Sequence, residues 1–167
     1  MVKKEALRKE ALQAGFVRVR FLAPFEPVGA APFEPAGASA HYRQGAPALL
    51  VAALPYGNQL PSLPAEGAPP ALAGALSIAP FAQRNYYREA VKRLQKLAVR
   101  FREQYGRENP SYGLKRNYRI FCNSPVPEKP LGLASGLGVL GRNGLLITPE
   151  AGSLVIIAAL TLPFPLE

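Results

Sequence analysis

The sequence has one cysteine, one histidine and no tryptophan among its 167 residues. A single cysteine, Cys122, excludes an internal disulfide and any iron-sulfur cluster built from this chain's own thiolates. With His41 as the only histidine, a zinc site of the usual His and Cys type is not expected, so no metal site is assigned. Redox chemistry would need a cofactor. Long apolar runs are missing too: "LVIIAALTL" at 154–162 falls well short of the ~20 residues that cross a bilayer and suits a buried strand. The N-terminal "MVKKEALRKEALQAG" reads as a charged amphipathic helix without a secretory apolar region or cleavage site, so the expected location is cytoplasmic, with no membrane contact. Acidic residues are few, 11 against 20 Lys and Arg, and the formal charge of +9 favours a polyanionic partner.

What remains is a folding sequence. Apolar residues make up 49% and charged residues 19%, and the length fits a single domain over 1–167. A first helix is read over 2–14, with Leu7, Ala11 and Ala14 on one face and Gly15 at its C-terminal cap. "FVRVRF" then alternates as a half-buried strand. "APFEPVGA" at 23–30 is followed at once by "APFEPAGA" at 31–38, a tandem Pro and Gly repeat too short for a solenoid and read as a loop or edge. "ALLVAALPY" at 48–56 reads as a strand buried on both faces, and 57–73 as a long Pro- and Gly-rich loop.

The strongest helical periodicity runs from about Phe81 to Tyr105, with Tyr87, Val91, Leu94, Leu97 or Ala98, Phe101 and Tyr105 as its apolar stripe and Gly106 at its close. "YRIFC" at 118–122 follows as a strand, "PEKPLGLAS" as a short helix begun by Pro127, and "GLLIT" and "GSLVIIAALTL" as two strands joined by a "PEAG" hairpin turn. The expected class is α+β, with a central mixed, largely antiparallel sheet flanked by helices.

The charge is localised. Between Arg84 and Arg119 eleven Lys or Arg stand against three Glu, leaving +8 of the chain's +9 in 36 residues. Arg84, Arg88, Lys92 and Lys96 lie off the apolar stripe, and Lys115 and Arg116 follow with Tyr112 and Tyr118 interleaved. Phosphate contacts from such cations and stacking on the tyrosines would bind RNA; a solvated basic face would look the same in sequence.

Glycine concentrates in "ASGLGVLGRNGLLITPEAGS" at 134–153, between two apolar segments. Either this is turn and cap chemistry, or the backbone must come close to a ligand. "GLGVLG" fits the dinucleotide spacing, but that fingerprint needs a strand before it and a helix after it, and here the order is reversed. Neither Ser124 nor Ser153 sits in a nucleophile elbow.

Several short motifs nevertheless occur in a specific order: Glu128-Lys129, Ser135-Gly136-Leu137-Gly138, Gly141-Arg142-Asn143, Ile147-Thr148-Pro149 and Gly152-Ser153. With "ALLVAALPY" and "IAPFAQRNYYREAVKRLQKLA" upstream, this order resembles the epoxyqueuosine reductase family over about two thirds of the chain. The resemblance implies a nitroreductase-like domain that holds cobalamin in its base-off form. It places cofactor contacts at Ser124, Pro125, Gly136, Leu137, Gly138, Gly141, Arg142, Asn143, Thr148, Gly152 and Ser153. The implied chemistry is reductive removal of an oxygen in transfer RNA queuosine modification. Where that family has a proton-donating aspartate, this chain has Cys122 or Asn123, and Tyr86-Tyr87 replaces its Tyr-His. The family's iron-sulfur clusters belong to a ferredoxin-like module that would begin where this sequence stops, so catalysis would require such a domain or protein as partner. The other readings are a non-catalytic corrinoid or flavin module, and an RNA-binding accessory domain.

Overall fold

A computed structural model describes residues 2–22, 48–56 and 84–167. The tandem repeat at 23–38, His41, the loop at 57–73 and the expected start of the second helix at 81–83 lie outside the described residues.

Alternating apolar residues set up the sheet. Strands β1 (Arg18–Leu22), β2 (Ala48–Pro55), β3 (Ile120–Phe121) and β6 (Val155–Leu162) form one sheet in the order β1-β2-β6-β3. All three of its ladders are antiparallel. The α+β expectation therefore stands, while among the described residues the parallel component is a single bridge between Val2 and Leu166. β2 is buried along its length up to Pro55, as a strand covered on both faces must be. Its even residues, Leu50, Ala52 and Leu54, enter one core cluster, and its odd residues, Leu49, Val51 and Ala53, enter a second.

The first cluster is covered by two helices, α1 (Lys4–Gln13) and α2 (Tyr86–Tyr105). Leu7 and Ala11 of α1 and Leu94, Leu97 and Phe101 of α2 are buried there. α2 begins at Tyr86, because the Asn85 side chain accepts a hydrogen bond from the Arg88 N–H at 2.9 Å and caps the helix. Its buried stripe is the expected one from Leu94 to Tyr105 and differs only in the first turns. Ala90 takes the buried position, and Tyr87 is 37% exposed. Two short 3-10 turns, Pro110–Gly113 and Lys115–Asn117, then return the chain to β3.

The second cluster is covered by α3 (Glu128–Ala134) and by the glycine-rich segment after it. Within that segment β4 (Val139–Leu140) pairs with β5 (Leu146–Ile147) in a separate two-stranded sheet. The expected hairpin between "GLLIT" and the last strand is thus corrected: the "PEAG" turn carries only one bridge, Thr148 with Gly152, and its flanking strands belong to different sheets. None of the described helices is long and apolar enough to cross a membrane.

Because Leu160 is fully buried on β6, Leu160→Ala should lower unfolding free energy by about 2–5 kcal/mol in denaturant titration. Val139→Ala, at a residue 66% exposed, should stay within about 0.5 kcal/mol.

Candidate functional site

At one end of the sheet the last residue after β2, the residues after β3 and the start of β6 meet the first turns of α2 and α3. They enclose a cleft of about 250 Å³ lined by Tyr56, Tyr87, Asn123, Glu128, Lys129 and Ser153 over an apolar floor of Val155, Ile156 and Ile157. The Glu128 carboxylate accepts the Ser124 N–H at 3.1 Å, and Lys129 Nζ donates to the Gly144 carbonyl at 3.0 Å. Burial, and to a lesser degree the neighbouring Tyr87, push the Tyr56 phenol above its usual range. Asn123 has φ +51°, a left-handed conformation that few side chains other than Asn and Asp adopt readily.

Of the expected donor pair, only Asn123 lines this cleft. Cys122 is not part of the lining; it is half-buried, with its S–H directed at the Tyr87 carbonyl, 3.8 Å away. Burial first, and the Glu128 charge second, raise its pKa from 9.0 to about 11. The thiol is therefore a weaker acid than an ordinary cysteine. Ser153 and Asn123 are the expected residues that the fold brings together here, and it adds Tyr56, Tyr87, Glu128 and Lys129. Glu128 and Lys129 stood in a recognised motif; nothing in the sequence pointed Tyr56 and Tyr87 at the same space.

The glycines have a first explanation inside the protein. α3 ends in paired bonds, Gly136 N–H to the Leu133 carbonyl at 3.0 Å and Leu137 N–H to the Gly132 carbonyl at 2.8 Å, with Gly136 at φ +70°. At Gly138 any Cβ would sit 2.3 Å from the Ile147 carbonyl oxygen, so the β4–β5 pairing demands glycine. Two expected cofactor contacts change character. The Leu137 side chain is fully buried in the second core cluster, and Thr148 is 2% exposed with its hydroxyl donating to the Gly152 carbonyl at 3.1 Å. Ser124 Oγ is engaged with the Val126 backbone, and Asn143 Oδ1 accepts the Leu145 N–H at 3.1 Å. Pro125 and Arg142 are exposed, while Gly141 fits against Ile147.

Beside the cleft the same segment leaves apolar side chains in solvent: Val139, Leu140, Leu145 and Ile147 are 38–66% exposed.

The basic residues divide by role. Arg93 bonds Glu89 at 2.9 Å and the Ala14 carbonyl at 2.7 Å, and Arg102 bonds the Gly113 carbonyl, so these two serve the fold. Arg88, Lys92 and Lys96 are exposed one turn apart, a row with about 6 Å between steps. Arg84 precedes the helix with its guanidinium 5.8 Å from the Tyr86 ring, and Lys115 and Arg116 are exposed on the second 3-10 turn. Tyr112 and Tyr118 are not stacking surfaces. Both pack against the first core cluster, and the Tyr118 hydroxyl donates to the Tyr112 carbonyl at 2.8 Å, with burial pushing its pKa to about 12.

No family model matches this sequence. Epoxyqueuosine reductase from Pseudomonas aeruginosa is 36% identical over 84 residues, which cover 50% of this chain and 21% of that protein. The Salmonella typhimurium epoxyqueuosine reductase is 32% identical over 84 residues, 50% of this chain and 20% of its own length. Among solved structures, epoxyqueuosine reductase from Streptococcus thermophilus superimposes with a TM-score of 0.67 at 17% identity, over 98% of this chain and 46% of that one. An epoxyqueuosine reductase bound to an epoxyqueuosine-modified tRNA-Tyr stem loop gives a TM-score of 0.60 at 17% identity, with the same coverage. The chain thus spans just under half the length of these solved relatives and shares their fold.

The raised Cys122 pKa has a direct readout. Alkylation of the native protein should keep accelerating until the pH approaches about 11, whereas in the unfolded chain it should level off near 9.0. Since the fold holds the protonated form, its contribution to stability is complete below pH 9 and is lost as pH rises through 11. Alkylation that levels off near pH 9 in folded protein would contradict this.

Proposed function

From its relatedness to epoxyqueuosine reductases, in sequence over half the chain and in fold over nearly all of it, we propose that this chain is the cobalamin-binding domain of an epoxyqueuosine-reductase-like oxidoreductase acting in transfer RNA queuosine modification. The observation that carries the reading is the glycine-rich segment, whose exposed apolar face borders the cleft.

The residues present suit a large planar macrocycle lying on a surface. At about 250 Å³ the cleft is smaller than the ~300–1,000 Å³ pockets that enclose drug-sized ligands, so a corrin would rest across its mouth. Val139, Leu145 and Ile147 offer apolar contact on one face of the hairpin, and at Gly136 and Gly152 the side where a Cβ would stand is open, with no described atom beyond the chain neighbours within 4 Å. Asn143, Arg142 and Ser153 would meet the peripheral amides, with Ser124 and Pro125 at the far edge and Gly138 and Gly141 holding the hairpin flat. Thr148 and Leu137 act from beneath, by fixing the turn and anchoring the segment.

A corrinoid held here would, once reduced, supply reducing electrons for removal of the oxygen. This chain's residues would hold the cofactor, exclude water from the cleft and place the substrate. The reaction also needs a proton, and neither residue at the family's donor position provides one well: Asn123 is an amide, and the Cys122 thiol is raised to about 11. With a single cysteine, electron delivery falls to a ferredoxin-like domain or protein carrying the clusters. By itself the chain is accordingly read as a binding domain.

Titration of the purified protein with cob(II)alamin should give the absorption and paramagnetic signature of a base-off form. Val139→Asp, at a residue 66% exposed, should weaken that binding while leaving the melting temperature nearly unchanged. Folded protein that leaves the cofactor spectrum unchanged at high micromolar concentration would refute the reading.

A second contact is favoured by the exposed row on α2. Arg88, Lys92 and Lys96, flanked by Arg84 and by Lys115 and Arg116, would follow a phosphate backbone with sequence-independent affinity. Transfer RNA should bind with an affinity that falls steeply as salt rises, and Arg88→Glu with Lys92→Glu should abolish it. A flat salt response would leave only a solvated helix face.

A further inference from the structure

Arg18 and Arg20 alternate with Val19 along β1, so the sequence reads them as the solvent side of a half-buried strand. The sheet register places them otherwise. Arg18 lies level with Ala53 and Arg20 with Val51, both of the second core cluster, on the face that α3 and the glycine-rich segment cover.

Each arginine grips that segment. Arg20 Nε donates to the Gly136 carbonyl at 3.3 Å, where the chain leaves α3. Arg18 Nη1 pairs with Glu150 at 2.5 Å, in the turn that leads into β6. The Arg18 side chain is only 17% exposed, and its Nε–H is buried with no hydrogen-bond partner among the described residues. A guanidinium buried with a donor unsatisfied pays a desolvation cost, so its place under the segment depends on the Glu150 carboxylate.

Between these two grips the segment has little of its own to hold it. Among the described residues the β4–β5 hairpin pairs only with itself, and an isolated two-stranded hairpin is marginal in water. Leu137 and Leu146 anchor it from below, and Lys129 holds the Gly144 carbonyl, but Val139 and Leu140 remain 66% and 54% exposed.

We propose that Arg18 and Arg20 are positioning residues that hold the glycine-rich segment, from Gly136 to Glu150, as a rigid surface for a planar ligand. The ligand rests on the function proposed above; the positioning does not, and it is measured without any ligand.

Amide hydrogen exchange of the full chain reads it directly. Arg18→Ala with Arg20→Ala should speed exchange across residues 136–152 by about tenfold, the combined loss of one ion pair and one hydrogen bond, while amides of β2 and β6 keep their protection. Glu150→Gln, a milder change, should loosen the same segment by a smaller factor. The swap Arg18→Glu with Glu150→Arg should restore protection at 146–152, which a merely space-filling role would not. Unchanged exchange in the segment, or equal acceleration in β2 and β6, would overturn the proposal. Cob(II)alamin binding in the double variant should weaken by a smaller factor, set by the fall in the closed population. If the native protein binds no corrinoid while the exchange result holds, the function proposed above fails and the positioning stands.

Discussion

Everything in this structure hangs on the ladder between β2 and β6, eight residue pairs in antiparallel register from Ala48 with Leu162 to Pro55 with Val155. It is the centre of the sheet and is covered on both faces, so its backbone polar groups find partners only in each other and in the flanking strands. The small residues Ala52, Ala53, Ala158 and Ala159 sit in this central pair, fully buried. A one-residue slip would exchange the two core clusters, sending Leu50 and Leu160 to the wrong side.

That ladder also fixes what can stand next to what. α1 and α2 lie over one face, and α3 with the glycine-rich segment lies over the other. The basic row of α2 and the exposed apolar hairpin are therefore on opposite sides of the sheet. They approach each other only at its end, where Tyr87 from α2 and Lys129 from α3 line one cleft. If the row binds a polyanion and the hairpin a corrinoid, this end of the sheet is where the two would meet. The separation has an electrostatic benefit as well. Arg93 and Arg102 are consumed in joining elements, so the remaining cations of α2 stay in solvent at little desolvation cost.

Much of this was legible in the amino-acid sequence, for a physical reason. Periodicity belongs to a single element and survives without tertiary context, so the continuous apolar run at 48–56, the helix closing near Tyr105 and the short helix after Pro127 could all be read directly. The concentration of charge between Arg84 and Arg119 and the order of motifs from Glu128 to Ser153 are likewise properties of the linear chain.

What only the tertiary structure decided are the questions of partner and side. "GLLIT" could pair forward to the last strand or back to Val139-Leu140, and the close approach of Gly138 to the Ile147 carbonyl decides for the latter. Tyr112 and Tyr118, interleaved with cations in sequence, pack against the core beside Phe164 and its neighbours, while Tyr87, 37% exposed, lines the cleft. Arg18 and Arg20 look solvent-facing in an alternating strand, yet a segment more than a hundred residues later covers them. Alternation tells which residues share a face of a strand; it carries no information about what the rest of the chain lays upon that face.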